Sequence, residues 1–316
     1  MGFSVVGGGF AYRADLLAWS GRPIRTHGAF KNKVPCTNHS LYFHPACHPQ
    51  PRFQTSTMGF RTSAMVYSDQ LPSEDEVVEL CLPLEAHLDG IRYRQNLWIK
   101  FGKHVSKDEA YAQMYAFKHA DPAVVSVPKI YYWFERDGRT YILMEFIDCE
   151  TLPQHLKNNP SERDKWDNAI VAAVEHLWSF PVHEDAKPGP LARGIPTGPF
   201  FAEHNVNGTF ESQEELERWI NGKLQRNGRP ERVEFGSEPL VFSHGDLTRR
   251  QFIVKNGNLY LLNFGASGFY PKCSEEVALF HCGDWYKKIR SRLFGSRSAN
   301  LPGMVWTRRF NIMDRD

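Results

Sequence analysis

The sequence has no long apolar run and almost no excess of charge of either sign. No stretch reaches the ~18 consecutive apolar residues of a membrane-spanning helix. Lysine plus arginine number 38 and aspartate plus glutamate 36, a net charge of +2, which argues against nucleic acid or a membrane surface as a partner. The 6 cysteines are scattered over 316 residues, unlike a secreted disulfide framework. The opening lacks a basic segment before an apolar one, so we expect a cytoplasmic protein.

Residues 1–70 differ in composition from the rest of the chain. They are rich in Gly, Pro, His, Arg and Ser and show neither helical nor strand periodicity. We therefore expect an irregular, poorly ordered extension, with Met58 and Met65 as alternative starts. Zinc-competent side chains occur here at spacings shorter than those of a zinc finger, which disfavours a metal site: Cys36, His39, His44, Cys47 and His48.

Regular patterns begin at Leu71. Ser73 and Glu76 have the spacing of a capping box that opens a helix. Residues 91–102 alternate as two short strands. Residues 107–120 predict an amphipathic helix, and residues 129–146 a hairpin that turns at an Asp-Gly pair. The predicted apolar face of that helix consists of Ala110, Met114, Phe117 and Ala120.

The second half of the chain is predicted to be mainly helical. Residues 161–180 form a helix capped by Ser161, whose buried side carries Trp166, Ile170, Ala173 and Leu177. The Pro- and Gly-rich residues 181–211 form a loop long enough to suggest a functional role. A helix over 212–225, a strand near 240–242 and a hairpin about Asn256-Gly257 follow.

One segment has the residue types of a phosphoryl-transfer site. The tripeptide His244-Gly245-Asp246 would place a carboxylate on a loop, where it can accept the proton of an attacking hydroxyl. Gln251 lies five residues later, and Asn263-Phe264-Gly265 ends the next hairpin. In kinase-like folds these two places hold metal ligands. His-Gly-Asp alone is more often a plain turn, but the hairpin and Phe-Gly at this distance favour a site.

The segment resembles the aminoglycoside phosphotransferase family, within the protein-kinase-like fold, in a divergent form typical of fungal members. The residues that carry the resemblance are HGDLTRRQ (244–251), LNFG (262–265) and GFYP (268–271). LWIKFG (97–102) is similar to the family's strand with a phosphate-binding lysine, and GPFF (198–201) to a loop before the catalytic segment. The similarity covers residues 71–272.

The resemblance implies roles for individual residues. Asp246 would be the catalytic base, with His244 beside it in the catalytic loop. Lys100 would bind the nucleotide phosphates and Glu109 would orient it, although an edge lysine and a helix-start glutamate are the alternatives. The segment Glu145, Phe146 and Ile147 would form the adenine-binding hinge, and residues 88–94 the phosphate loop. The metal ligands would be Asn263 and Gln251.

Both metal positions depart from the family pattern. Asn263 stands where the family has Asp, so a negative charge that Mg²⁺ prefers is missing. Gln251 replaces Asn and is one methylene longer, and Arg249 replaces a proline that would restrict the loop. Past Pro271 the sequence departs again from the family's acidic-aromatic segment, which predicts a C-terminal lobe that is shortened at its end.

The combined expectation is an α+β, two-lobed protein-kinase-like fold. Residues 71–147 would form a small β-rich N-lobe that binds nucleotide, and residues 148–316 a mainly helical C-lobe. The resemblance implies transfer of the γ-phosphate of ATP to a small-molecule hydroxyl, with a weakened Mg²⁺ site. The alternative is a pseudokinase that binds nucleotide or a partner without catalysis.

Overall fold

The computed structural model describes residues 71–83, 90–102, 104–201, 206, 208–236, 238–280 and 283–313. The predicted extension and its cysteine and histidine side chains lie outside these residues. None of the described helices is long and apolar enough to cross a membrane. The fold is α+β, with a small lobe built on a sheet and a mainly helical lobe.

The small lobe contains one antiparallel sheet of four strands in the order β1-β2-β4-β3. Its elements in chain order are α1 (Glu74–Cys81), β1 (Gly90–Tyr93), β2 (Leu97–Gly102), α2 (Lys107–His119), β3 (Ile130–Arg136) and β4 (Arg139–Glu145). Ser73 caps α1 and the Asp137-Gly138 pair makes the β3–β4 turn, which confirms both predictions.

The two faces of this sheet pack against different helices. On one face Ile99 and Phe101 of β2 pack with Leu143 of β4 and with α1. Side chains alternate across a strand, so Trp98 and Lys100 point to the opposite face, which α2 covers in part. The sheet register places Lys100 opposite the apolar Ile142. The register therefore fixes the position of Lys100 along the sheet, on the face that α2 covers in part.

The described part of the larger lobe contains six α-helices and two small two-stranded sheets. Its elements are α3 (Leu152–Asn158), α4 (Arg163–Trp178), α5 (Gln213–Arg226), β5 (Leu240–Ser243), β6 (Phe252–Lys255), β7 (Asn258–Leu261), β8 (Gly268–Pro271), α6 (Cys273–Ala278), α7 (Asp284–Phe294) and α8 (Leu301–Met313). Strand β5 pairs with β8 and β6 with β7. The predicted shortening concerns the chain after Pro271, where the structure has three helices.

The predicted buried face of α2 is wrong for two of its four residues, whereas Ala110 is buried as predicted. Met114 and Phe117 are 45% and 46% exposed, whereas Glu109 and Gln113 are buried. Glu109 and Gln113 are buried because each has a polar partner in the small lobe. Glu109 reaches Lys100, and the amide of Gln113 donates to the Pro128 carbonyl at 2.8 Å. Polar groups with hydrogen-bond partners can be buried, so these two side chains share the buried face with Ala110, Ala112 and Ala116.

The predicted cap of α4 is also wrong, although its buried side is confirmed. A 3-10 turn over Pro160–Glu162 precedes the helix, and Ser161 makes no capping hydrogen bond. The Glu162 carboxylate instead accepts from the Trp166 indole at 2.8 Å. A proline at the start of the turn fixes the backbone, and the helix begins two residues later than predicted.

The long loop 181–211 has no helix or strand among its described residues, but it is attached to the core. Gly189 and Phe269 of β8 exchange two backbone hydrogen bonds of 2.9 Å. The backbones approach so closely that a Cβ on Gly268 would clash with the Gly189 carbonyl. Gly189 itself has φ +137, which favours glycine. The loop is thereby fixed beside the end of β5.

The packing of α4 gives a first prediction. Ile170 is fully buried, so Ile170→Ala should lower the free energy of unfolding by about 2–5 kcal/mol. Its neighbour Val171 is half-buried, and Val171→Ala should cost much less. Denaturant unfolding of both variants measures the difference. Equal losses would contradict the assigned core.

Candidate active site

The Lys100 ammonium is paired with a buried carboxylate. Its Nζ lies 2.5 Å from Oε1 of Glu109, whose side chain is 2% exposed. Glu109 lies in the first turn of α2, where the Ser106 hydroxyl accepts from its backbone N–H at 3.3 Å. Negative charge is favoured at a helix N-terminus. The strand and the helix thus hold an ion pair at the inner face of the sheet.

The same ammonium also contacts the larger lobe. Lys100 Nζ donates to Oδ1 of Asn263 at 2.9 Å, a contact between residues 163 positions apart. Asn263 has φ +65, a left-handed conformation that Asn adopts more readily than most residues. Gly265 follows it, and a Cβ there would lie 3.3 Å from Oε2 of Glu109. The turn after β7 therefore approaches both members of the ion pair.

His244 at the end of β5 is fully buried and neutral. Its Nδ1 accepts from the Asp246 backbone N–H at 3.3 Å, so Nε2 carries the proton and donates to the Leu262 carbonyl at 3.0 Å. Burial lowers the pKa of His244 to about 4. At neutral pH the imidazole therefore fixes the backbone of the predicted catalytic loop (residues 244–251) against the end of the β6–β7 hairpin, at Leu262. Its predicted catalytic role would be one of positioning.

Asp246 is half-buried and has an unusual pKa. Burial raises the pKa of this carboxyl to about 6, against the opposing effects of the Gln251 hydrogen bond and the positive charge of Arg308. The Gln251 amide donates to Oδ2 of Asp246 at 2.7 Å. A carboxylate whose pKa approaches the working pH is suited to accept a proton. The role of Asp246 as the base stays a prediction.

The predicted hinge lies at the end of β4, beside the lysine strand. Phe146 donates its backbone N–H to the Asn96 carbonyl at 2.9 Å and stacks on Trp98 with 5.9 Å between ring centroids. Glu145 pairs with Leu97 of β2, and Ile147 is buried. Glu145 lies three residues along β4 from Ile142, which pairs with Lys100, so the distance along the strand is about 10 Å. Of the predicted phosphate loop, residues 88 and 89 lie outside the described residues.

Glu275 is a site residue that the sequence reasoning missed. Its carboxylate is fully buried and accepts three hydrogen bonds from the start of the catalytic loop. The donors are the Ser243 hydroxyl at 2.7 Å, the His244 N–H at 2.7 Å and the Gly245 N–H at 3.0 Å. Burial raises the pKa of Glu275, and these donors oppose the rise. A signal was present: two adjacent glutamates at the start of an apolar helical segment.

The donor set fits a magnesium ion poorly. Mg²⁺ prefers one or two carboxylates together with water and substrate oxygens. Asn263 offers a neutral oxygen that already accepts from Lys100, and Gln251 directs its amide N–H groups to Asp246. Within the described ranges no group of three His, Cys, Asp or Glu side chains could hold a metal. Neither of the two predicted metal positions, Asn263 and Gln251, carries a carboxylate.

The site residues therefore form two linked groups. One contains Lys100, Glu109 and Asn263, and the other contains His244, Asp246 and Gln251 with Glu275 behind them. The short β7 hairpin and the turn after it connect the groups, since Leu262 contacts His244 and Asn263 contacts Lys100. The Lys100 ammonium is thus connected to the loop that carries Asp246 through Leu262 and Asn263, which follow β7.

The Glu275 contacts give a second prediction. All three partners donate, so Glu275→Gln turns an amide N–H toward a donor and should cost about 1–3 kcal/mol of stability. It should also shift the amide NMR signals of Gly245. Glu276→Gln is the matched control, because this adjacent buried glutamate accepts from Ser298 instead. A Gly245 signal that moves equally in both variants would contradict the assignment.

Comparison with solved structures gives similar chains at low identity. An apo thermostable mutant of the aminoglycoside phosphotransferase APH(4)-Ia is 11% identical, with 72% of this chain and 84% of that chain covered and a TM-score of 0.48. The streptomycin–ATP–APH(2")-IIa ternary complex is 13% identical, with 77% and 94% covered and a TM-score of 0.47. A choline/ethanolamine kinase family protein from Mesorhizobium loti is 14% identical, with 71% and 72% covered and a TM-score of 0.39.

A search of curated proteins finds no match. The model of a phosphotransferase enzyme family, APH, matches residues 97–271. This range is more than half of the chain. It begins at the strand of Lys100, contains Glu109, Asp246 and Asn263, and ends with β8. The chain therefore belongs to the APH phosphotransferase enzyme family.

Proposed function

We propose that the protein transfers the γ-phosphate of ATP to a hydroxyl group of a small molecule, at a reduced rate. The observation that carries this proposal is the position of the Lys100 ammonium. It contacts Glu109 at 2.5 Å and the Asn263 side chain at 2.9 Å. Phosphoryl transfer depends mainly on positioning and charge stabilisation, and this cation lies where the two lobes meet.

The residues would act in the following way. The nucleotide lies between residues 71–147 and the C-lobe, with its base near Glu145, Phe146 and Ile147 and its phosphates near Lys100. The acceptor oxygen attacks the γ-phosphorus, the bond to the β–γ bridging oxygen breaks, and ADP leaves. Asp246 accepts the hydroxyl proton. Gln251 holds the carboxylate in place through the 2.7 Å hydrogen bond.

The reduced rate follows from Asn263. The transferred group carries several negative charges, and their stabilisation accounts for much of the rate of such enzymes. A carboxylate at this position would hold a divalent cation on the phosphates, whereas the amide supplies no charge. In a partly desolvated site such a charge is worth several kcal/mol, and each 1.4 kcal/mol is about tenfold in rate.

A second function is nucleotide binding without transfer. It is favoured by the two carboxamides at the predicted metal positions, both of which are engaged by neighbouring side chains. In that case the site would act as a pseudokinase that responds to nucleotide. Lys100 and Glu109 would retain their roles, while Asp246 would have no proton to accept.

Calorimetry with ATP on the full chain tests nucleotide binding and separates these cases. We expect binding that differs little with and without Mg²⁺ and that Lys100→Met weakens at least tenfold. Lys129→Met is the control, since Lys129 is an exposed lysine of the same lobe. Absence of ATP binding in the unaltered protein would refute both functions, and incorporation of labelled phosphate into an added alcohol would decide between them.

Restoring the charge should restore metal-dependent turnover. We expect Asn263→Asp to raise Mg²⁺-dependent ATP turnover at least tenfold, because a carboxylate then faces the phosphates. Asn256→Asp is a matched control: Asn256 is exposed and has a similar left-handed φ of +52, but lies in the β6–β7 turn. A rise below tenfold, or an equal rise in the control, would show that Asn263 is not the limiting residue.

The raised pKa of Asp246 predicts the pH dependence. The carboxyl must be ionised to accept a proton, so kcat/KM should fall as the pH drops through about 6. An ordinary Asp would give this limb near pH ~4. Carbon-13 NMR titration of the Asp246 carboxyl gives an independent value. Asp246→Asn should lower turnover about 10²–10⁴-fold, while Asp284→Asn, at an exposed position, should not. An acid limb at pH 4 would contradict the assignment.

A further inference from the structure

The first turn of α2 carries two adjacent carboxylates that have different partners. Glu109 pairs with Lys100 inside the small lobe. Asp108 instead accepts two hydrogen bonds from the long loop of the larger lobe. Its Oδ1 receives the backbone N–H of Ala192 at 3.0 Å and the backbone N–H of Gly194 at 3.2 Å. One helical turn therefore joins the lysine ion pair to this loop.

The loop backbone is shaped to receive the Asp108 carboxylate. Arg193, between the two donors, has φ +61, a left-handed conformation that persists in a residue with a side chain where its surroundings fix it. Backbone N–H groups in such a turn point to one side and form a concave site for an anion. Gly194 leaves the space that Asp108 fills, since a Cβ there would clash with the carboxylate. The Arg193 guanidinium is itself paired with Glu211 at 2.7 Å.

The same loop also contacts the turn that carries Asn263, the second partner of the Lys100 ammonium. The Thr197 hydroxyl donates to the Gly265 carbonyl of that turn at 3.2 Å. Three residues further towards the N-terminus, Gly194 binds the start of α2. One short stretch of loop therefore contacts both elements that hold the partners of the ammonium, the helix on one side and the turn on the other.

We propose that Asp108 is a positioning residue for the nucleotide site. Through Asp108 the long loop holds the first turn of α2, and with it Glu109, in the place where Glu109 pairs with Lys100. This inference rests on the proposed function, in which Lys100 binds the phosphates of ATP. A displacement of about 1 Å at a positioned group can cost a large factor in activity, so a helix start that is free to move would weaken the site.

Variants of Asp108 in the full chain test the inference by calorimetry with ATP. Asp108→Ala removes the acceptor of both N–H groups and should weaken ATP binding about fivefold or more. Asp108→Asn keeps an acceptor oxygen and should restore most of the affinity. Asp75→Ala is the matched control, because Asp75 is an exposed carboxylate in the first turn of α1 and pairs with Arg136. Unchanged affinity in folded Asp108→Ala, or an equal loss in the control, would overturn the inference.

Lysine labelling tests the same contact without nucleotide. The Lys100 side chain is only 18% exposed and is ion-paired, which limits its reaction with an amine-reactive reagent. In Asp108→Ala we expect the labelling rate of Lys100, measured by mass spectrometry, to rise about threefold or more, because the helix start opens more often. The rate at the exposed Lys129 should not change. If the Ala192 and Gly194 amides exchange faster with solvent while Lys100 labelling stays the same, Asp108 fastens only the loop and the positioning role is wrong.

The two proposals fail in different ways. If the unaltered protein binds no ATP but Asp108→Ala exposes Lys100 to labelling, the link between loop and ion pair stands and the proposed function is wrong. If Asp108→Ala binds and turns over ATP as the unaltered protein does, the function stands and the positioning role is wrong. Coupling between two sites is reciprocal, so ATP should slow hydrogen exchange at the Ala192 and Gly194 amides. Exchange that ATP leaves unchanged in a protein that binds it would overturn the coupling.

Discussion

The Lys100 ammonium group connects the two lobes at this site. Lys100 lies on a strand of the small lobe, and its Nζ contacts a helix of the same lobe and the turn after β7 of the larger lobe. The strand register, the cap of α2 and the left-handed Asn263 all serve to bring three side chains to one point. Since a buried charge needs a partner, the buried Glu109 carboxylate pairs with the lysine and keeps it in place.

The catalytic loop depends on a different kind of interaction. Glu275 accepts hydrogen bonds from two backbone N–H groups and one hydroxyl. His244 joins the loop to the end of the β6–β7 hairpin, at Leu262. These contacts replace the pairings that a loop lacks. A network in which each polar group has a partner is rigid, so Asp246 is presented in one position. The hydrogen bonds that hold Asp246 and the residue before it come from Gln251 and Glu275, both in the larger lobe.

The motifs of local origin could be predicted from the sequence. Helix caps, Asp-Gly and Asn-Gly turns and strand alternation act over a few residues, so α1, the two hairpins and the buried side of α4 follow the pattern. The resemblance also placed Lys100 with Glu109. The orientation of α2 could not be predicted, because it depends on a partner carbonyl at Pro128.

The contacts of Glu275 were hidden for the same reason. Its carboxylate accepts from the Gly245 N–H, thirty residues away, and it belongs to no local motif. Periodicity reports which side of an element is apolar, and it carries no information on which distant backbone a polar group meets. In a sequence, such a contact is indicated by an ionisable residue within an otherwise apolar helical segment.

The crossing of Gly189 and Gly268 has a consequence for how the chain can vary. Two backbones touch there, with paired hydrogen bonds on one side and no space for a side chain on the other. A Cβ on Gly268 would clash with the Gly189 carbonyl, whereas at Gly189 a larger residue would strain the backbone at φ +137. Two further glycines of the loop are also restricted, because a Cβ on Gly194 would clash with the Asp108 carboxylate and a Cβ on Gly198 with the Ala266 side chain. The described part of the loop is therefore expected to vary in sequence between these glycines and to keep its path at them.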